Sequence, residues 1–207
     1  SKVVALLARL AEAAVKYADQ PITGRSHNVP AQVTTLGKRF ATIAEELLFA
    51  YDRLISLQDR YPMRGIKGPV GTAQDSIDLL GSSDAHQKLE QIIAKELGFS
   101  QVLDSTGQIY PRSFDYDVLT TLVQLASAPS NLATAIRLMA GAELVTEGFK
   151  SGQVGSSAMP HKMNTRSCER VNGLVVVLRG YASMISELSG NQWNEGCLLY
   201  TSPSPRD

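Results

Sequence analysis

The sequence predicts an all-α protein, a bundle of long helices. Three observations carry that prediction. Between Gln32 and Tyr61 apolar residues recur at Leu36, Phe40, Ile43, Leu47, Ala50, Leu54 and Leu57, in steps of 4 and 3, which is the seam of a helix packed in a bundle. A second long segment, Asp115 to about Thr146, keeps Val118, Leu122, Leu125, Leu132, Ile136, Met139 and Val145 on one side. Strand-like alternation of useful length is not found anywhere.

The elements follow in chain order. The chain starts at Ser1 in the middle of a helical pattern, Val4, Leu7, Leu10 and Ala14, so the expectation is that its first element is cut. Gln20 to Pro30 reads as a polar loop, and the seam helix follows it. Arg64 to Gln74 (R-G-I-K-G-P-V-G-T-A-Q) is a second glycine-rich loop. A short helix is predicted from Ser83 to Leu97, capped by Ser83 or Asp84 and stopped by Gly98. Inside the Asp115 helix, Pro129 should kink it or split it in two. Gly148 to Asn164 is the third loop. From near Thr165 a last helix carries Val171, Leu174, Val175, Leu178, Tyr181, Met184, Ile185 and Leu188.

The final eleven residues, Cys197 to Asp207 (C-L-L-Y-T-S-P-S-P-R-D), change composition abruptly. They resemble the in-frame translation of a sequencing-library adapter, so the expectation is that residues 197–207 are a non-native tail and 1–196 one helical domain. The alternative is a genuine Pro/Ser-rich tail.

Composition narrows the function. The 207 residues include 20 Lys+Arg against 20 Asp+Glu and are 43% hydrophobic. This suffices for a sizeable core and speaks against a basic nucleic-acid surface. No apolar run approaches the roughly 20 residues of a membrane span. Two distant cysteines, Cys168 and Cys197, make neither a disulfide framework nor a zinc site, so a reducing, cytoplasmic setting is expected. Helices of some 30 residues are about 45 Å long, more than a compact domain of this size needs, so self-association is expected.

Chemistry belongs on the loops. The third loop, G-Q-V-G-S-S-A-M-P-H-K-M-N from Gly152 to Asn164, brings a glycine hinge, two hydroxyls and a lysine to a helix N-terminus that Asn164 would cap. Lysine charge beside unpaired backbone N–H groups suits a carboxylate or a developing oxyanion. Alternatively this is a polar connection with a solvated lysine. His86 reads as a surface residue of the short helix, Cys168 as a small packing residue, and Trp193 as a subunit anchor. His161 reads equally as a substrate contact or a structural residue.

The string G-S-S-A-M-P-H-K-M-N resembles the signature loop G-S-S-x-M-P-x-K-x-N-P of the fumarase/aspartase superfamily, with Thr165 in place of its proline. The first loop, G-R-S-H-N-V-P-A-Q-V-T-T-L-G-K-R from Gly24 to Arg39, is similar to the adenylosuccinate-cleaving branch, as are R-G-I-K-G-P-V-G-T and R-S-C-E-R. The resemblance implies elimination of fumarate from a succinylated purine nucleotide or its ribotide precursor, without metal or organic cofactor.

Residue by residue, it implies Ser156 as general base, His27 as general acid and Glu169 as the carboxylate that orients the histidine. Lys162 and Asn164 would hold the succinyl carboxylates and Arg170 the phosphate. Ser26, Ser157, Thr72 and Gln74 complete the substrate-binding set, with Gly152 and Gly155 as hinges of a mobile loop. It further implies a homotetramer whose active sites each draw on three chains, with residues 1–196 a partial central domain lacking N-terminal and C-terminal domains, so these residues alone would be inactive. The alternatives are another lyase of the superfamily, of the argininosuccinate lyase or carboxymuconate cycloisomerase type, or a silent helical bundle like some lens crystallins.

Overall fold

The computed structural model describes residues 2–148, 151–152, 155–159 and 161–190. Six helices and one hairpin follow in order: α1 (Lys2–Lys16), β1 (Pro21–Ser26), β2 (Val29–Thr35), α2 (Leu36–Arg60), α3 (Gln74–Leu80), α4 (Ser83–Leu97), α5 (Ser113–Gly141) and α6 (Arg166–Leu188). The tail from Cys197 and Trp193 lie outside the described residues. The chain divides into two units. One comprises the segment up to Leu54 with Thr121–Tyr181, the other Ile55–Thr120 with the segment from Ala182.

The core of the first unit is built by α1, α2 and α5. Leu10, Ile43, Leu47, Ala50, Leu125 and Ala128 form one buried cluster, with Phe40, Leu54 and Leu132 packed against it. Ile43, Leu47 and Ala50 are consecutive seam positions, so the 4-and-3 spacing finds its partner here. Leu47 is only 1% exposed, and full burial of a leucine contributes about 1.5–3 kcal/mol. Thr35 starts α2, its Oγ1 accepting the Lys38 N–H at 3.0 Å, an N-cap bond. Gly37 is buried where α2 leaves the hairpin, and a Cβ there would run into the Ala14 carbonyl and the Ala18 backbone.

The polar loop expected over Gln20–Pro30 is instead the first strand and turn of an antiparallel hairpin, which takes up Gln32–Thr35 as well and delays the helix to Leu36. Ser26 pairs with Val29 across the two-residue turn His27–Asn28. Both turn residues have positive φ, 51° and 65°, the backbone of the tight turn whose twist matches a hairpin. Most of the hairpin's residues are exposed, so no buried face imposed the alternation by which a strand is read.

Other boundaries also differ. Ser82, not Ser83 or Asp84, caps α4, its hydroxyl accepting the Ala85 N–H. Gly98 ends that helix with φ 79°, as expected. The short α3 was not predicted; it is entered through Ala73 in the left-handed region and left through Gly81. Pro129 does not split α5, which runs unbroken for 29 residues. Proline removes the amide that would bond the Leu125 carbonyl, while Leu125, Ala128 and Ala133 around it are buried and hold the helix together by packing. His86 is buried, at 6% exposure, against the expectation of a surface residue.

In the second unit, Tyr61 and Phe114 pack with tilted rings, centroids 5.5 Å apart, and Arg60 pairs with Asp117. Met63 exchanges backbone bonds with the 101–103 segment. No helix among the described residues is long and apolar enough to cross a membrane.

Candidate active site

The signature loop connects α5 to α6. Its ends are tied by a residue that sequence reasoning missed. The Glu147 carboxylate accepts the backbone N–H of Cys168 at 2.7 Å and of Ser167 at 3.2 Å, satisfying two of the unpaired donors that open α6. Burial works to raise the Glu147 pKa, but the hydrogen bonds from Cys168 and Ser167 outweigh it and hold the carboxyl below its ordinary 4.5. The reciprocal effect falls on Cys168: burial first, then the neighbouring carboxylate, push its thiol up to about 11. Glu147 precedes its partners by 20 and 21 positions, so no capping motif marks it in the sequence.

Asn164 does not cap the helix. Its Nδ2 donates to the Gly155 carbonyl at 3.0 Å, fastening the end of the loop to the start of the serine pair. Gly155 is not a hinge either: it is buried, and a Cβ on it would overlap the Lys162 carbonyl. The absence of a side chain there allows the two strands of the loop to touch. Gly152 has φ 79°, and none of the described residues lies within 4 Å of its Cβ position. Within the loop, Ser156 Oγ accepts the Met159 N–H at 3.2 Å, and the Lys162 N–H donates to the Met159 carbonyl at 2.9 Å. Ser156 is half-buried; Ser157, His161 and Lys162 are exposed.

Ser156, Lys162 and Asn164 are thus brought into one folded-back loop at the start of α6. Glu169 and Arg170 lie in its first turns, both exposed, and Glu169 Oε1 meets Arg137 Nη2 of α5 at 3.4 Å. His27 stands exposed at the tip of the hairpin beside Ser26. Among the described residues neither hydrogen bond nor ion pair joins His27 to Glu169. Thr72 and Gln74 belong to the second unit; Gln74 opens α3 and donates to Asp78 at 2.7 Å. Among the described residues no group of three or more His, Cys, Asp or Glu is placed to hold a metal ion.

The chain belongs to the lyase family, whose profile matches residues 1–180. Among curated proteins it is similar to adenylosuccinate lyase of Saccharomyces cerevisiae, 38% identical over 95% of this chain and 41% of the relative. A second relative, adenylosuccinate lyase of Archaeoglobus fulgidus, is 36% identical over 87% of this chain and 39% of its own length. The chain therefore spans about two fifths of these relatives. Among solved structures, 3-carboxy-cis,cis-muconate lactonizing enzyme from Pseudomonas putida matches with a TM-score of 0.75 and 23% identity, over 90% of this chain and 40% of that one. That likeness speaks for the long-helix fold alone.

Proposed function

We propose that the protein containing this chain is a C–N lyase that eliminates fumarate from adenylosuccinate, giving AMP, and from the related succinylcarboxamide ribotide of purine synthesis. The observation that carries the reading is the folded-back G-S-S-A-M-P-H-K-M-N loop at the start of α6, in a chain that is 38% and 36% identical, over the aligned residues, to curated adenylosuccinate lyases.

The chemistry follows from the residues. The proton on the carbon beside a carboxylate is weakly acidic, so its removal needs the developing aci-carboxylate to be stabilised as it forms. Lys162 supplies that charge. Ser156 takes the proton, and a serine hydroxyl can do so only where its alkoxide is favoured, beside Lys162 in a closed loop from which water is excluded. His27 protonates the departing nitrogen, Glu169 orients the imidazole, and Lys162 with Asn164 holds the succinyl carboxylates. Arg170 binds the phosphate, and Ser26, Ser157, Thr72 and Gln74 complete the contacts. Every acid, base and charge stabiliser is a side chain, so the mechanism calls on no cofactor.

In the same reading the protein works in the cytoplasm as a homotetramer with shared active sites, and the residues up to 196 are its central helical domain. Two features support sharing: among the described residues no hydrogen bond or ion pair joins His27 to Glu169, whose carboxylate meets Arg137 instead, and α6 leaves Leu174, Val176, Val177, Tyr181 and Met184 exposed.

The test is fumarate release from adenylosuccinate by the full-length protein, followed in the ultraviolet, with Ser156→Ala beside the wild type. The expected result is turnover by the wild type and its loss in the variant with substrate affinity retained. Turnover that survives in Ser156→Ala removes Ser156 from the base role.

A further inference from the structure

The second unit contains a buried charged cluster that the reaction described above does not use. Glu90 of α4 is 5% exposed, Lys67 9% and His86 6%. Glu90 divides its two oxygens between separate tasks. Oε2 meets the Lys67 ammonium at 2.8 Å, while Oε1 accepts the backbone N–H of Ile66 at 2.9 Å. His86, one turn earlier on the same helix, brings Nε2 to 3.5 Å from Oε1, and neither of its ring nitrogens has a hydrogen-bond partner among the described residues.

All of Glu90's loop partners lie in one segment, Arg64–Ala73. Gly65 has φ 88°, and the place of its missing Cβ is taken by Glu90 Oε1, so the loop backbone lies directly on the carboxylate. The Lys67 carbonyl then accepts the Ala73 N–H at 2.8 Å, closing the loop on itself. On the far side Arg64 Nη2 bonds the carbonyls of Gly68 and Gly107, and Gly71 is pressed against the Thr106 carbonyl. The part left exposed is Gly68 to Val70 and Thr72, followed by Gln74.

A buried ion pair of this kind adds little net stability, because desolvation of both charges offsets their attraction, and an apolar pair of similar volume often serves as well. What it does supply is direction. A carboxylate with two oxygens bonded to a side chain and an adjacent amide fixes both the position and the rotation of the peptide between them.

We infer that Glu90, through Lys67 and the Ile66 amide, is a positioning residue that sets the Arg64–Ala73 loop and thereby aims Thr72 and Gln74 at the substrate. This rests on the lyase reading, in which Thr72 and Gln74 touch the succinylated nucleotide.

The experiment uses the full-length protein and four forms: wild type, Glu90→Gln, Lys67→Met, and Lys67→Met combined with Glu90→Leu. Adenylosuccinate KM and kcat are measured together with amide hydrogen exchange at Ala73 and with thermal unfolding. Because misplacement of a substrate-contacting group by a fraction of an ångström is costly, KM should rise about tenfold or more in Glu90→Gln, with kcat changed less than about threefold. Ala73 exchange should quicken by about tenfold or more in the same variant, as the closed loop opens locally. The apolar double variant should recover much of the unfolding temperature and keep the raised KM. Recovery of both temperature and KM would reduce the cluster to a structural role and overturn the inference, as would an unchanged KM and unchanged Ala73 exchange in Glu90→Gln. A wild type that releases no fumarate, with Ala73 exchange still quickened in Glu90→Gln, would leave the loop clamp standing and remove the substrate assigned to it.

Discussion

At the residue scale the clearest local device is Glu147. It stands where an anionic substrate group was expected, with two amides of the α6 N-terminus as its donors, so the helix end is not an open oxyanion site. Glu147→Gln should cost the full-length protein about 1–2 kcal/mol in urea unfolding at neutral pH, the value of a cap with charge-assisted bonds. The sign with pH follows from the depressed carboxyl. Its stabilisation is complete above the ordinary 4.5 and is lost as pH falls through the lower folded value. The gap between wild type and variant should therefore close on acidification, and equal gaps at neutral and strongly acid pH would contradict the assignment. The neighbouring Cys168 gives an independent check. With its thiol pushed from 9.0 up to about 11, the native thiolate is scarcer by about a hundredfold near pH 8. Iodoacetamide should label Cys168 at least that much more slowly in the native protein than in urea.

At the element scale, packing decides more than propensity does. Leu47 sits at the centre of the seam, fully buried in the cluster that Leu10, Ile43, Ala50, Leu125 and Ala128 share in the first unit; Leu47→Ala should cost about 2–5 kcal/mol, read as a fall in the unfolding midpoint. Gly37→Ala should also destabilise, because its Cβ meets backbone that cannot swing away. The same contrast explains what the sequence made legible. The α2 seam could be read because every third or fourth residue has a core to enter, and α5 was legible for a similar reason; α6 was legible from its apolar spacing, although only Cys168 and Val175 are buried among its described residues. The hairpin could not be read, because Val29 and Val33 point their side chains to solvent and its register rests on the His27–Asn28 turn. Nor could Glu90 and His86, whose burial follows from the loop that covers them. In the candidate loop, Ser156, Lys162 and Asn164, which the fold brings together, stand close in sequence and could be seen as one string. The Glu147 tie could not, since bonds between residues 20 and 21 positions apart leave no periodic mark.

At the scale of the whole molecule, α6 has the composition of a core helix and the exposure of a surface one. Leu174 is 63% and Val176 65% exposed, with Val177, Tyr181 and Met184 also open, a run of apolar surface of the kind that marks association. In the proposed homotetramer, whose sites would draw on different chains, His27 and Ser156 of one chain would serve different sites. A mixture then behaves differently from its components. Full-length His27→Gln and Ser156→Ala are each expected to be inactive. Co-expressed in equal amounts, they should regain up to about a quarter of wild-type activity, because a site that takes its histidine from one chain and its serine from another receives both intact in one pairing of four. If one chain supplied both groups, every site would carry a lesion and the mixture would stay inactive. Adding Leu174→Glu and Val177→Glu to both variants supplies the control, since charge on that face should yield smaller species in light scattering, keep the helical circular dichroism, and abolish the rescue together with the assembly.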